Sequence, residues 1–135
     1  LVSNLVSNYD FKFISVKLYP KLSRTEIALK LQTTNLFVFS SISEGFPVSV
    51  IEALACGVPV CTTRCGGVDE IILHEKNGLL AESGDESALF AAVYRVLIDR
   101  PLYERLTTHQ ESMNEFNEAV VCLRHWRLYK GIASE

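Results

Sequence analysis

Three short, almost wholly apolar runs constrain this chain more than any other feature: NLFVFSS at 35–41, VPVCTT at 58–63 and LLA at 79–81. Runs this brief, with no polar alternation, suit strands covered on both faces, as in a parallel sheet. The stretch FKFISVKL, Phe11 to Leu18, alternates apolar and polar residues and predicts another strand. Helical stretches stand between these runs. Ser23-x-x-Glu26 is a capping-box pattern opening a helix to about Gln32. Val48 to Cys56 reads as a helix stopped by Gly57, and Gly66-Gly67 as a turn before a short helix from Val68 to His74. Asn77-Gly78 marks a turn into the LLA strand. From Asp85 to Asp99, Ala88, Leu89, Ala92, Val93, Val96 and Leu97 form one stripe, and Pro101 suits the first turn of the next helix. LVSNLVSN at the start reads as a helix tail, and a final helix is expected from about Glu118 to Ile132 with Trp126 and Tyr129 as packing anchors.

Strands alternating with helices predict an α/β fold: a doubly wound, Rossmann-like parallel sheet followed by C-terminal helices. A chain of 135 residues fits one domain with a real core. Right-handed crossovers bring every strand-to-helix loop to one edge, where ligands of such sheets bind. The loops expected there follow Val16, hold Glu44 to Pro47, and hold Thr63 to Gly67.

Composition removes several functions. The formal charge is −3 and no Lys/Arg block occurs, so nucleic-acid binding is not expected. No apolar run approaches the roughly 20 residues of a membrane span, and no signal-peptide pattern opens the chain. The four cysteines, Cys56, Cys61, Cys65 and Cys122, read as reduced thiols, with Cys56 and Cys61 as small buried hydrophobes. Cys61, Cys65 and His74 match no zinc spacing, so no metal is expected. His74, His109 and His125 show no triad pattern. Neither a P-loop lysine motif nor G-x-G-x-x-G is present, against a kinase-type ATPase or a dinucleotide dehydrogenase.

The chemistry concentrates in SEGFPVSVIE, where Glu44 and Glu52 are eight apart in an otherwise small and apolar run. Glu44 directly follows a strand and so stands at the carboxyl edge. Gly45 admits a ligand to the backbone, and Pro47 sets the start of the helix. Amides of about Val48 and Ser49 would then face the loop with the positive end of the helix dipole, which suits a phosphate. A carboxylate beside a phosphate would repel it, so Glu52 makes sense as an acceptor for a vicinal diol beyond it. Glu44 would likewise accept hydroxyls of a second group. Diol, phosphate and polyol together describe a nucleotide-sugar. The structural alternative is a helix-start Glu favoured by the macrodipole and a solvated loop Glu. Arg64, at the same edge, reads either as a source of positive charge or as a solvated loop residue. Gly66-Gly67 could approach a ligand or another domain, or simply turn the chain.

EGFPVSVIE resembles the E-x₇-E motif of retaining glycosyltransferases of the GT-B fold, particularly the large family-four group. ALACGVPVCTTRCGGVDEII and NGLLAESGDESAL are similar to that family's following blocks, and the resemblance covers about Leu36 to Ile98. It implies the C-terminal, donor-binding part of a two-domain enzyme of carbohydrate biosynthesis, transferring a sugar from a nucleotide-diphosphate sugar with retention. It implies Glu52 on the ribose hydroxyls, Glu44 on the donor sugar, and the backbone of Gly45, Phe46, Pro47, Val48 and Ser49 against sugar and diphosphate. Glu44 would be the catalytic residue, positioning the sugar and steadying positive charge on it rather than acting as a nucleophile. No cofactor or metal is implied. The acceptor would be a sugar, a lipid-linked group or another molecule, and the place cytoplasmic, including the cytoplasmic face of a membrane. The chain departs from the family with Ser15 for Gly, Asn35 for Asp and Pro47 for the commoner Gly. The family's basic pair and its N-terminal acceptor domain are expected upstream, and its final helix, at 117–135 here, braces that domain. Alternatives are a non-catalytic nucleotide-sugar-binding module, one subunit of a two-chain transferase, or a nucleotide-sugar epimerase of the same architecture.

Overall fold

The computed structural model describes residues 15–108. The helix expected at LVSNLVSN, the Phe11–Ile14 part of the first expected strand, Cys122, His109, His125 and the helix expected from Glu118 to Ile132 lie outside the described residues.

Helix α1 (Arg24–Leu31) begins on the expected capping box. Ser23 Oγ accepts from the Glu26 N–H (3.4 Å), and Glu26 Oε2 accepts from the Ser23 N–H (2.8 Å). The Ser23 hydroxyl, donating to Glu26 Oε2 (2.6 Å), and then the Ser23 N–H favour the charged form and hold the Glu26 carboxyl below its ordinary value. Strand β1 (Phe37–Phe39) is followed by α2 (Val48–Ala55), β2 (Val60–Thr63), α3 (Val68–Ile71), β3 (Gly78–Ala81), α4 (Glu86–Ile98) and α5 (Arg100–Thr108). The described strands form one parallel sheet in the order β1-β2-β3. Helix α2 ends in a Schellman motif. Gly57, at φ +76°, donates to the Leu54 carbonyl (2.9 Å), and Val58 donates to Ala53 (3.0 Å).

The register sorts the strand residues into two faces. Phe37, Val60 and Gly78 share one row and Phe39, Thr62 and Leu80 another, and these rows pack with α2 and α3 around Val50, Ala53, Leu54, Val68 and Ile71. On the opposite face Cys61 and Leu79 lie under Val96, Leu102 and Leu106 of α4 and α5. Helices on both faces make the sheet doubly wound. Gly78 serves by close approach: a Cβ there would lie 2.8 Å from the Val60 carbonyl oxygen. Asn77 is buried, with Oδ1 accepting from the Leu73 N–H (2.8 Å) and Nδ2 donating to the Ile71 carbonyl (2.9 Å). It therefore ties the end of α3 to β3, beyond marking a turn.

Several expectations are corrected. Ser15 to Leu18 form no strand and are exposed; Tyr19 instead takes the segment to α1, where Lys30 Nζ donates to its hydroxyl (3.0 Å) and sits 4.2 Å from its ring centroid. Among the described strands, the third loop at the carboxyl edge is the one after β3. β1 is not buried on both faces. Val38 is 45% exposed, because α4 and α5 cover the Cys61 and Leu79 end of its row and not β1. α3 stops at Ile71 rather than His74, since His74 Nδ1 accepts the Leu80 N–H (3.0 Å) and the chain there already pairs with Gly78. On α4, Leu97 leaves the buried stripe and is 65% exposed.

Candidate functional site

The loops after β1, β2 and β3 meet at the carboxyl edge, as a parallel sheet requires. The loop after β1 carries Glu44, Gly45 and Phe46, all exposed, and then Pro47, which is buried. Pro47 is the N-cap of α2 rather than its first residue, with ψ 85° and no side-chain cap. Val48 is exposed and Ser49 half-buried on the first turn. Glu52 follows one turn further in and is half-buried.

The amides at the start of α2 are only partly available. Val48 donates its N–H to the Phe46 carbonyl (3.0 Å), and Val50 donates to Pro47 (3.0 Å). Ser49 donates to no backbone carbonyl among the described residues. The expectation of a free pair at Val48 and Ser49 thus narrows to Ser49. Glu52 forms no side-chain hydrogen bond among the described residues, and the first turn of α2 carries no acid. The macrodipole acts within the first turn, so it does not account for Glu52.

Glu44 is placed by contacts that cross the sheet edge. Its Oε1 accepts from Ser41 Oγ (2.9 Å), and the Ser41 carbonyl accepts from Thr63 Oγ1 at the end of β2 (2.5 Å). Gly66, at φ +54°, lies so close that a Cβ would overlap the Glu44 carbonyl and stand 2.9 Å from the Gly45 oxygen. A Cβ on Gly67 would stand 2.8 Å from the Phe46 ring. The glycine pair therefore seats against the Glu44–Phe46 loop. In the sequence Ser41 reads as a strand end and Thr63 as a strand end opening a carboxyl-edge loop, and nothing in their spacing signals that they meet.

Arg64 is exposed, as a solvated loop residue would be, and its positive charge is not uncommitted. It pairs with Asp69 of α3 and with Glu82 Oε1 (3.0 Å) beyond β3. Cys61 is fully buried, and burial pushes its thiol up to about 12, so it is no thiolate near neutral pH. Among the described residues no group of three or more His, Cys, Asp and Glu side chains is arranged to hold a metal ion. A cleft of about 280 Å³ lies at the same edge between Ser40, Ile42, Thr63 and the start of α4. Glu44 and Glu52 do not line it. No helix of the described residues is long and apolar enough to cross a membrane.

Residues 11–113 match the family described as "Glycosyl transferases group 1". The N,N'-diacetylbacillosaminyl-diphospho-undecaprenol alpha-1,3-N-acetylgalactosaminyltransferase of Campylobacter jejuni is 33% identical over 109 residues, which are 79% of this chain and 29% of that protein. Among solved structures, sucrose-phosphate synthase from Thermosynechococcus elongatus matches with a TM-score of 0.86 and 28% identity, over 98% of this chain and 34% of that one. Anabaena HepE in complex with UDP-glucose shares the fold at a TM-score of 0.67 and 22% identity, over 83% of this chain and 31% of its own. The chain spans less than a third of the length of the curated relatives it matches.

Proposed function

The chain belongs to the group 1 glycosyl transferases, and from that premise we propose that it is the donor-binding domain of a retaining glycosyltransferase that uses a nucleotide-diphosphate sugar. The observation that carries the reading is the placement of Glu44 and Glu52 on either side of the start of α2, at the carboxyl edge of a parallel sheet. Glu52 accepts the two ribose hydroxyls. The Ser49 amide and the backbone from Gly45 to Val48 meet the diphosphate and the near side of the sugar. Glu44 accepts hydroxyls of the transferred sugar and opposes the positive charge that grows on it as the bond to the diphosphate breaks. Fixed amide dipoles stabilise the leaving diphosphate, and the acceptor attacks from the same face, which retains configuration.

The opposing wall, the acceptor site and compensating positive charge belong to the rest of a longer enzyme. Support comes from the exposure of Glu44 to Phe46 and from relatives several times this length. A lipid-linked acceptor at a membrane face is one candidate, since the name of the Campylobacter relative carries a diphospho-undecaprenol group. The same openness favours a second reading, in which a separate subunit supplies the wall; an acceptor domain upstream in the same reading frame removes it.

A thermal-shift panel with UDP-, GDP-, ADP- and CMP-linked sugars tests the donor site. UDP is the first to try, because the Anabaena protein of the same fold is complexed with UDP-glucose. Stabilisation by one base class over the others is expected; no shift with any compound refutes the donor site.

A further inference from the structure

Three residues outside the donor-facing set hold Glu44. Thr63, 3% exposed at the end of β2, gives its hydroxyl proton to the Ser41 carbonyl (2.5 Å). The Ser41 hydroxyl points to Glu44 Oε1 (2.9 Å), with the Ser43 carbonyl as a longer second acceptor (3.3 Å). Gly66 presses on the main chain from the other loop, where any side chain would overlap the Glu44 carbonyl. The loop that carries Gly66 is itself tied down. Arg64 donates its N–H to the Ala81 carbonyl (2.8 Å), while its guanidinium bridges Asp69 and Glu82.

A glutamate on an exposed loop samples many rotamers, and ordering it on binding costs affinity. Here the carboxylate is held by Ser41 of its own loop, Thr63 of β2 anchors the Ser41 peptide, and the Glu44 peptide is fixed by close packing from the turn after β2. We propose that Thr63, acting through Ser41, and Gly66 are positioning residues that preset the Glu44 carboxylate for the donor sugar. The proposal rests on the donor-site reading above. Glu52 stands apart from this clamp, one turn into α2, so the clamp acts on the sugar more than on the nucleoside diphosphate.

The test uses the full chain, ¹⁵N-labelled, as wild type and as Thr63→Val, Thr63→Ser, Ser41→Ala and Gly66→Ala. Without ligand, the Gly45 and Phe46 amide signals are expected to move in Thr63→Val and Gly66→Ala and to return in Thr63→Ser, which restores the hydroxyl. Signals unmoved in Thr63→Val overturn the clamp. By calorimetry, UDP-glucose affinity should fall about three- to tenfold in Thr63→Val, the effect of one lost hydrogen bond, and recover in Thr63→Ser, with UDP affinity changing clearly less. Equal weakening of UDP and UDP-glucose would mean general damage and overturns the positioning role. Should Thr63→Val not fold, Ser41→Ala at a half-buried site removes the Glu44 bond and the longer one to Ser43, leaves the Thr63 bond to the Ser41 carbonyl, and carries the same calorimetric readout. Wild type binding neither ligand refutes the donor site, and the amide signals then decide the clamp alone.

Discussion

Replacing Glu52 with Gln separates the binding role of this carboxylate from any structural one. The side chain is half-buried, sits beyond the first turn of α2 and forms no side-chain hydrogen bond among the described residues. Glu and Gln have similar helix propensity, so the unliganded variant should melt within about 2 °C of wild type. The effect on binding is larger. A carboxylate holding two ribose hydroxyls makes charge-assisted bonds worth about 1.5–3 kcal/mol each. Gln keeps one acceptor oxygen and loses one such bond, so a loss at the low end of that range, about 1.5 kcal/mol or roughly tenfold in Kd, is expected. With UDP at about 100 times the wild-type Kd, ligand linkage adds about 2.7 kcal/mol to wild type. The variant at the same concentration gains about 1.4 kcal/mol. At about 4 °C per kcal/mol, the shifts become about 11 °C and about 6 °C. Thermal melts at several UDP concentrations, with calorimetry for the Kd values, measure both. An unchanged UDP affinity in a normally melting variant refutes the assignment of Glu52 to the diol.

Glu44→Gln should leave UDP affinity unaltered while reducing UDP-glucose affinity about three- to tenfold, read by calorimetry as the ratio of the two Kd values. Gly57→Ala places a side chain at φ +76° and should cost about 1–2 kcal/mol in urea unfolding, through the strain of the left-handed backbone. Ser23→Ala removes the capping box and should cost about 1 kcal/mol at pH 7. Its pH dependence has a definite sign. The Glu26 carboxyl is held below its ordinary 4.5 in the folded chain, so its contribution is complete above that value and disappears as pH falls through the lower folded value. The difference between wild type and Ser23→Ala should therefore shrink on acidification below about pH 4.5, and a constant difference would count against the capping box.

How far the chain could be read depended on the reach of each interaction. The Ser23–Glu26 box, the Gly57 stop and the Asn77-Gly78 turn were legible because their partners lie within a few residues. The apolar runs at β1, β2 and β3 revealed a parallel sheet, and parallel order alone put Glu44 at the carboxyl edge. The Phe11–Leu18 pattern misled over its described part. Alternation states that one face could be buried, but Tyr19 finds its partner on α1 instead. Val38 and Leu97 failed for a related reason: apolar character does not say whether a neighbouring helix extends far enough to cover a residue.

By itself, then, the amino-acid order determined the strand and helix succession from Arg24 to Thr108, the sheet type and the two carboxylates around the start of α2. Only the tertiary structure decided that Gly66 seats on the Glu44 peptide, that Thr63 reaches Ser41, and that Arg64 is spent on Asp69 and Glu82. Periodicity and capping are written in spacings of two to four residues along one segment. Contacts between loops depend on where strands of fixed register end, and that is set by the packing of the whole sheet.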